Sequence, residues 1–331
     1  PYTTLFRSAG HEDPSVLEAL ALCMREEYQG TYSDPRVCDV GALTDMMREG
    51  RLITCATLRE DGEPVAVINL KECPPMEGIG DLSMHVVRRP FRGYGVGTPL
   101  VQYIMQLPES RRLLGVVSHS ATYHAIAQYE SYRAGLRPCG ALYSVHINEL
   151  LTHSFDKVGV KQSFLVAACP QEKRDVGAIY VPEEHRGFVE DCYRRMDTAC
   201  TLAEAAPPPP ARTLACAWQD GAHQTMTVRI DACGADLQGE MERWLVRART
   251  GGPLQTVTCF LNCSSPSAPA GYRVLRALGF RFAGLHPFSR GGEYLLLHHP
   301  MEVAVEFEGM KVAAEYQAVF DYLRLHYYDK R

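Results

Sequence analysis

Several absences narrow what this sequence can do. No apolar run approaches the ~18 residues of a membrane span and no secretion signal is visible, so no membrane partner is expected. There is no surplus of positive charge: the formal net charge is −5 over 331 residues, which gives a nucleic-acid partner no support. Twelve cysteines are present, yet no C-x-x-C occurs. The nearest pair, Cys259-x-x-x-Cys263, has no histidine at zinc-ligand spacing, so no metal is expected. Cys55, Cys169, Cys216 and Cys259 lie in apolar runs and read as reduced, small hydrophobes, which fits a cytoplasmic protein. The chain does not begin with methionine. Residues 1–8, PYTTLFRS, read like a translated sequencing adapter and are expected to be an artefact of a metagenomic assembly, outside the fold. What is present is ordinary for a globular protein, 46% hydrophobic and 22% charged, and the length favours two domains over one.

Against that background one stretch stands out, Arg88-Arg89-Pro90-Phe91-Arg92-Gly93-Tyr94-Gly95-Val96-Gly97. A strand-like run over 82–87 leads into it and a helix-like run over 99–107 leads out. Glycines at i, i+2 and i+4 allow a tight turn that exposes backbone N–H groups, and the following helix points its positive end at the same spot. That is an anion site suited to a pyrophosphate, to which Arg88, Arg89 and Arg92 add charge and bidentate donors. The dinucleotide fingerprint G-x-G-x-x-G is not met, and no lysine follows as a P-loop requires. R-x-x-G-x-G is met, by Arg92 to Gly97. In this the stretch resembles the acyl-CoA pyrophosphate loop of the GNAT N-acetyltransferases.

The order of elements agrees with that resemblance. Helices are expected from Asp13-Pro14-Ser15, with Val16, Leu17, Leu20 and Met24 at helical spacing, and over 41–49. A hairpin over 52–58 and 64–70 turns at Asp61-Gly62, and strands follow over 81–87 and 113–118. His119-Ser120-Ala121-Thr122 reads as a helix opening with Thr122 as cap, the helix ending near Gly135, before a strand region over 136–148. Many family members carry, in this helix, an Asn eleven residues before a Gly-Phe pair, with an Ala and a Tyr between. His124, Ala127, Ser131 and Gly135-Leu136 stand in those places, and Thr122, His124 and Gln128 resemble a bacterial subgroup of two-part GNAT proteins. The resemblance covers roughly residues 12–150. It implies an α/β (α+β) fold with a mixed central sheet flanked by helices: a GNAT domain over 9–150, in tandem with a degenerate GNAT-like domain over 151–331 that carries a proline-rich insert at 204–212.

It also implies a function, acetyl transfer from acetyl-CoA to the amine of a small molecule by direct attack. The cosubstrate is expected between the fourth and fifth strands, held by Val87, Arg88, Arg92, Gly93, Tyr94, Gly95, Val96, Gly97 and Thr98, and by His124 and Ala127. The N–H of Val87 or a neighbour would polarise the thioester carbonyl. A protonated amine needs a base. Strand alternation puts Asp81, Ser83 and His85 on one face; His85 has an ordinary pKa near 6.5, and Asp81 would need burial to raise its own. For the acid the sequence departs from the family: Ser131 stands at the tyrosine position. Tyr132 is one residue off, roughly 100° around the helix, and His124 could donate to the leaving thiolate. The loop carrying Tyr28 and Tyr32 is expected beside the acceptor. The alternative is a non-catalytic acyl-CoA sensor or interaction module, and either would be a monomer or homodimer.

The second half echoes the first. Strands are expected over 163–168, 213–218, 225–230 and 254–261, and helices over 184–196, over 237–248 and ending at Leu278-Gly279. Gly135-Leu136-Arg137-Pro138-Cys139-Gly140 matches Gly279-Phe280-Arg281-Phe282-Ala283-Gly284. The echo fails at the loop, where Asp231-Ala232-Cys233-Gly234-Ala235-Asp236 offers carboxylates that would repel a pyrophosphate. This half is expected to leave CoA alone, cover the first domain's sheet edge and wall the acceptor site. The stripe Tyr316, Val319, Phe320, Leu323 and Tyr327 reads as a docking helix or an oligomer contact.

Overall fold

Hydrophobic periodicity places the elements, and the computed structural model describes them for residues 5–8, 14–32, 34–73, 76–147, 161–204, 210–252, 254–301 and 303–328. The first half contains β1 (Leu5–Ser8), α1 (Pro14–Tyr28), α2 (Val40–Arg48), β2 (Leu52–Leu58), β3 (Pro64–Cys73), β4 (Met76–Val87), α3 (Gly97–Gln106), β5 (Gly115–Ala121), α4 (Ile126–Arg133), β6 (Arg137–Ile147) and β7 (Lys161–Pro170). The second contains β8 (Asp175–Ile179), α5 (Arg186–Arg195), β9 (Ala199–Leu202), β10 (Leu214–Asp220), β11 (Thr225–Ala232), α6 (Leu237–Thr250), β12 (Thr256–Asn262), α7 (Ala268–Ala277), β13 (Arg281–Ser289), β14 (Gly292–Pro300) and α8 (Gln317–Tyr328). The fold is mixed α/β. One twelve-stranded sheet runs in the order β1-β2-β3-β4-β5-β7-β6-β13-β14-β12-β11-β10, with β8 and β9 forming a separate parallel pair.

The helices cover the sheet because their apolar stripes demand it. Val16, Leu17, Leu20 and Met24 of α1, with Leu43 and Met46 of α2, pack on Leu52, Ala56, Val67, Met84 and Val86. Asp39 starts α2 by accepting a hydrogen bond from the Ala42 N–H at 2.7 Å. Leu100, Val101 and Ile104 of α3 belong to a second cluster that continues without a break into the other half. The C-terminal stripe is core: Tyr316, Val319, Phe320, Leu323 and Tyr327 are all buried, and α8 packs on β13 and β6.

The cap expected for α4 is corrected. Within residues 1–8, Leu5–Ser8 pair antiparallel with β2. The boundary expected at residue 150 lies outside the described residues, as does most of the 204–212 insert. Beyond that boundary, β7 inserts between β5 and β6 and completes the first half's sheet. Thr122 does not cap α4, which starts at Ile126; its hydroxyl donates to the Ser163 carbonyl at 3.0 Å and ties the end of β5 to β7.

The second half repeats the first in topology. The succession β3-β4-α3-β5-α4-β6-β7 recurs as β10-β11-α6-β12-α7-β13-β14, and the sheet orders β3-β4-β5-β7-β6 and β10-β11-β12-β14-β13 correspond strand for strand. The two arrays meet at the equivalent strands β6 and β13, antiparallel, with Gly140 opposite Gly284. Gly284 has φ +109°, and a Cβ on it would lie 2.4 Å from the Gly140 Cα, so the backbones touch where only glycine fits.

Candidate active site

The site begins with a fault in β4. Met84 has φ +50° and the register with β3 shifts between Val67 and Asn69, so β4 carries a bulge. Four rungs pair β4 with β5, from Ile79 opposite Gly115 to Leu82 opposite Ser118; past them the parallel strands part. A cavity of about 840 Å³ lies at this opening. Its walls are His85, Val86 and Val87 of β4, the turn from Phe91 to Thr98, residues Tyr123–Ala127, and Tyr129, Glu130 and Arg133 of α4. Glu27 and Tyr28 of α1 and Ala313–Glu315 of the C-terminal segment complete it. Gln128 holds that last segment in place: its amide donates to the Lys311 carbonyl at 2.9 Å and accepts from the Ala313 N–H at 2.8 Å.

Gly93 (φ +82°) and Gly95 (φ +74°) adopt the left-handed conformation, with no atom within 4 Å of where a Cβ would stand, so the turn is open on the ligand side. At Gly97 the constraint is contact, because a Cβ there would strike the Glu130 carboxylate. Helix α3 starts at Gly97 and its N-cap, Val96, makes no side-chain cap. Its first-turn N–H groups and positive dipole end face the cavity mouth. The Arg88 N–H donates to the Val65 carbonyl on β3, so by strand alternation Val87 presents its N–H on the opposite side, toward the opening.

The arginines are less available than their sequence implies. Arg88 does not line the cavity; its guanidinium pairs with Glu26 at 2.7 Å and Glu63 at 3.2 Å, fastening α1 to the β2–β3 hairpin. Arg92 does line it, paired with Glu27 at 2.6 Å and donating to the Val87 carbonyl at 2.8 Å. Arg133, which the sequence reading passed over, also reaches the cavity and stacks over the Tyr129 ring. Tyr94 is exposed and off the cavity, whereas Gly93, Gly95, Val96, Gly97, Thr98, His124 and Ala127 line it.

The bulge also separates the candidate bases. Leu82 packs in one cluster while Met84 and Val86 pack in the other, so strict alternation fails and Asp81 and His85 face opposite sides of the sheet. His85 faces the cavity, its Nδ1 3.1 Å from Glu130; burial pulls its pKa down and Glu130 opposes this. Asp81 is on the other face, 3.0 Å from Nδ1 of His119 on β5. Tyr32 and Tyr123 stand near this pair: burial and the charges of Asp81 and Asp34 push the Tyr32 phenol up, with Tyr123 acting on it too. Tyr28 packs against Tyr32, ring centroids 4.9 Å apart, and lines the cavity. His119 was missed because it reads as a helix opening, although it ends a strand.

For the acid, Ser131 is buried and shares a hydrogen bond with Ser118 at 2.9 Å. Tyr132 is directed away from the cavity, with the Arg137 guanidinium 4.5 Å above its ring. His124 lines the cavity with its pKa pushed down to about 4 by burial, so at neutral pH it is an uncharged imidazole. Tyr123 lies edge-on to it, centroids 4.6 Å apart, and burial pushes its phenol up to about 12, so it keeps its proton.

The counterpart in the second half is closed. β11 and β12 stay paired through six rungs, from Thr225 opposite Thr256 to Ile230 opposite Leu261. The chain around Pro210–Thr213 covers the start of α6: the Ala235 N–H donates to the Pro210 carbonyl at 2.8 Å and the Gly234 N–H to the Thr213 hydroxyl at 3.0 Å. Asp231 accepts from the Tyr294 hydroxyl at 2.8 Å and pairs with Arg229 at 3.1 Å.

Parting parallel strands, an open glycine turn and a helix start without a side-chain cap meet at one cavity in a mixed α/β fold. Residues 14–133, 120 of the 331, match the model of the acetyltransferase (GNAT) family, which uses acetyl-CoA as cosubstrate. The match includes β4, the glycine turn and α3. No curated protein matches the chain in sequence. Among solved structures the chain is similar to an N-acetyltransferase from Staphylococcus aureus Mu50, at 12% identity over 51% of this chain and 99% of that one, TM-score 0.40. It is similar to ribosomal-protein-alanine N-acetyltransferase from Brucella melitensis, at 20% identity over 50% and 98%, TM-score 0.38. A variant of spermidine N-acetyltransferase from Vibrio cholerae gives 12% identity over 51% and 94%, TM-score 0.37.

Proposed function

We propose that this protein transfers an acetyl group from acetyl-CoA to the amine of a small molecule. What carries the reading is the parting of β4 from β5 beside the glycine turn, together with the unbroken pairing of the equivalent strands in the other half. The pyrophosphate is held by backbone N–H groups of Gly93 to Thr98 and the start of α3. The pantetheine arm runs into the opening past His124 and Ala127, and the Val87 N–H polarises the thioester carbonyl. The amine arrives from the opposite face of the sheet. There His119, whose Nδ1 lies 3.0 Å from Asp81, takes its proton through Nε2. Nitrogen attacks the carbonyl carbon, the C–S bond breaks, and Tyr123 or the neutral His124 N–H stabilises the leaving thiolate. His85, paired with Glu130 on the cofactor side, positions α4 and is not the base.

Calorimetric titration with acetyl-CoA tests the cofactor site. The expected result is one equivalent per chain, and no binding in Gly95→Asp, whose Cβ has no atom within 4 Å and which sets a carboxylate in the anion site; Gly95→Asn, equally strained at φ +74° but uncharged, is the control and is expected to bind more tightly than Gly95→Asp. Unchanged affinity in Gly95→Asp overturns the assignment. Release of free thiol with a panel of amines separates an enzyme from a cofactor sensor.

A further inference from the structure

Three potential ligands that the proposed reaction does not use together converge on the acceptor face. Cys73 ends β3, His119 lies on β5 and His286 on β13, and the Sγ and one ring nitrogen of each histidine lie within 4.8 Å of one another. We propose that Cys73, His119 and His286 form a binding site for a zinc-class divalent cation. The strongest sign is His286. It is fully buried, and neither ring nitrogen has a hydrogen-bond partner among the described residues. A buried imidazole left without partners is an unfavourable arrangement that a metal bond at one nitrogen relieves. His119 is prepared for the same role. Its Nδ1 lies 3.0 Å from Asp81 Oδ1, near enough for the carboxylate to support a ligating ring although the two do not meet hydrogen-bond geometry, and its Nε2 is buried without a partner among the described residues. A carboxylate behind a histidine is the usual support of a ligating imidazole.

The donor set chooses the metal. One thiolate and two imidazoles suit zinc, and disfavour magnesium or calcium, which take oxygen. Tetrahedral zinc spaces such atoms about 3.3–3.8 Å apart, so the three need only small side-chain rotations. Burial and the nearby Asp81 push the Cys73 thiol well up, so metal binding must displace its proton to solvent; the residue itself is partly exposed. Three protein ligands leave the fourth position to water or a small molecule. Phe260, edge-on to His286 with centroids 5.3 Å apart, is the apolar wall behind. The consequence for turnover rests on the acetyl-transfer reading. A metal on Nε2 of His119 occupies the lone pair that would take the proton from the amine, so the cation switches transfer off.

The test uses the full chain, freed of metal by a chelator and titrated with Co2+. The expected result is one equivalent giving the visible bands of four-coordinate cobalt and a near-ultraviolet thiolate-to-cobalt band, both removed by Zn2+. Cys73→Ser abolishes the thiolate band, and Asp81→Asn weakens Co2+ binding by about 10–100-fold. His286→Gln alters a fully buried position, so the partly exposed Cys73 carries the decision. Absence of the bands, or their survival in Cys73→Ser, overturns the site; the second outcome assigns the thiolate to another of the twelve cysteines. None of these readouts needs turnover, so failure here is distinct from failure of acetyl transfer. If both hold, zinc inhibits thiol release by the unmodified protein, and Cys73→Ser needs at least about tenfold more zinc for the same inhibition.

Discussion

Asp81 and His119 stand 3.0 Å apart just where two parallel strands separate, and no sequence pattern announces the pair. Asp81 was legible as a carboxylate on a strand. His119 was not, because His119-Ser120-Ala121-Thr122 carries the polar residues of a helix cap while its backbone belongs to β5. The bulge at Met84 was equally hidden: nothing in Ser83-Met84-His85 marks a positive φ, and one inserted residue moved His85 to the cavity side. By contrast the glycine turn was read correctly as a turn, since positive φ at Gly93 and Gly95 is what glycine is used for. Two substitutions test the proton-transfer assignments. His119→Gln is expected to lower kcat by about 10²–10⁴-fold while leaving the calorimetric affinity for acetyl-CoA unchanged. Tyr132→Phe, on a side chain stacked under Arg137 away from the cavity, is expected to leave both unchanged, and a large loss of kcat there would restore it as the acid.

At the scale of elements, order and kind were legible because each helix has an amphipathic stripe and each hairpin its turn. The repeat was legible too, and its most specific sign was the six-residue match ending in Gly140 and Gly284. Sequence alone could not show that these two glycines face each other, because that depends on which sheet edges meet. The placement of β7 was hidden for the same reason. Gly284→Ala forces a Cβ into the Gly140 backbone from a positive φ, and is expected to cost about 2–4 kcal/mol, read as a fall in the urea midpoint. Gly187→Ala is the control: its Cβ would meet nothing within 4 Å, in a helix, and stability is expected to hold or rise by up to about 1 kcal/mol. Equal effects of the two would show that the glycine contact is not a constraint. Gln128→Leu removes the clamp on Ala313–Glu315 and is expected to raise the Kd for acetyl-CoA in the calorimetric titration, with little change in kcat at saturation.

Across the whole molecule, burial keeps several histidines neutral: His124 and His146 are pushed down to about 4, His185 and His298 to about 3. Each takes a proton near pH 6.5 when unfolded. Their contribution is therefore complete above that pH and is lost as pH falls toward the folded values, at about 1.4 kcal/mol per pH unit for each histidine. The urea midpoint is expected to be highest above pH 6.5 and to drop steeply toward pH 4; a flat profile over that window would contradict neutral burial. The seam at Gly140 and Gly284 has a further consequence. A sheet that stopped at β6 would present a row of unsatisfied backbone groups, a template for any other extended chain. Here that edge meets the equivalent edge of its own repeat, with Gly140 and Gly284 in backbone contact at the crossing. Each half thus serves the other as a built-in guard against aggregation, whatever either half binds.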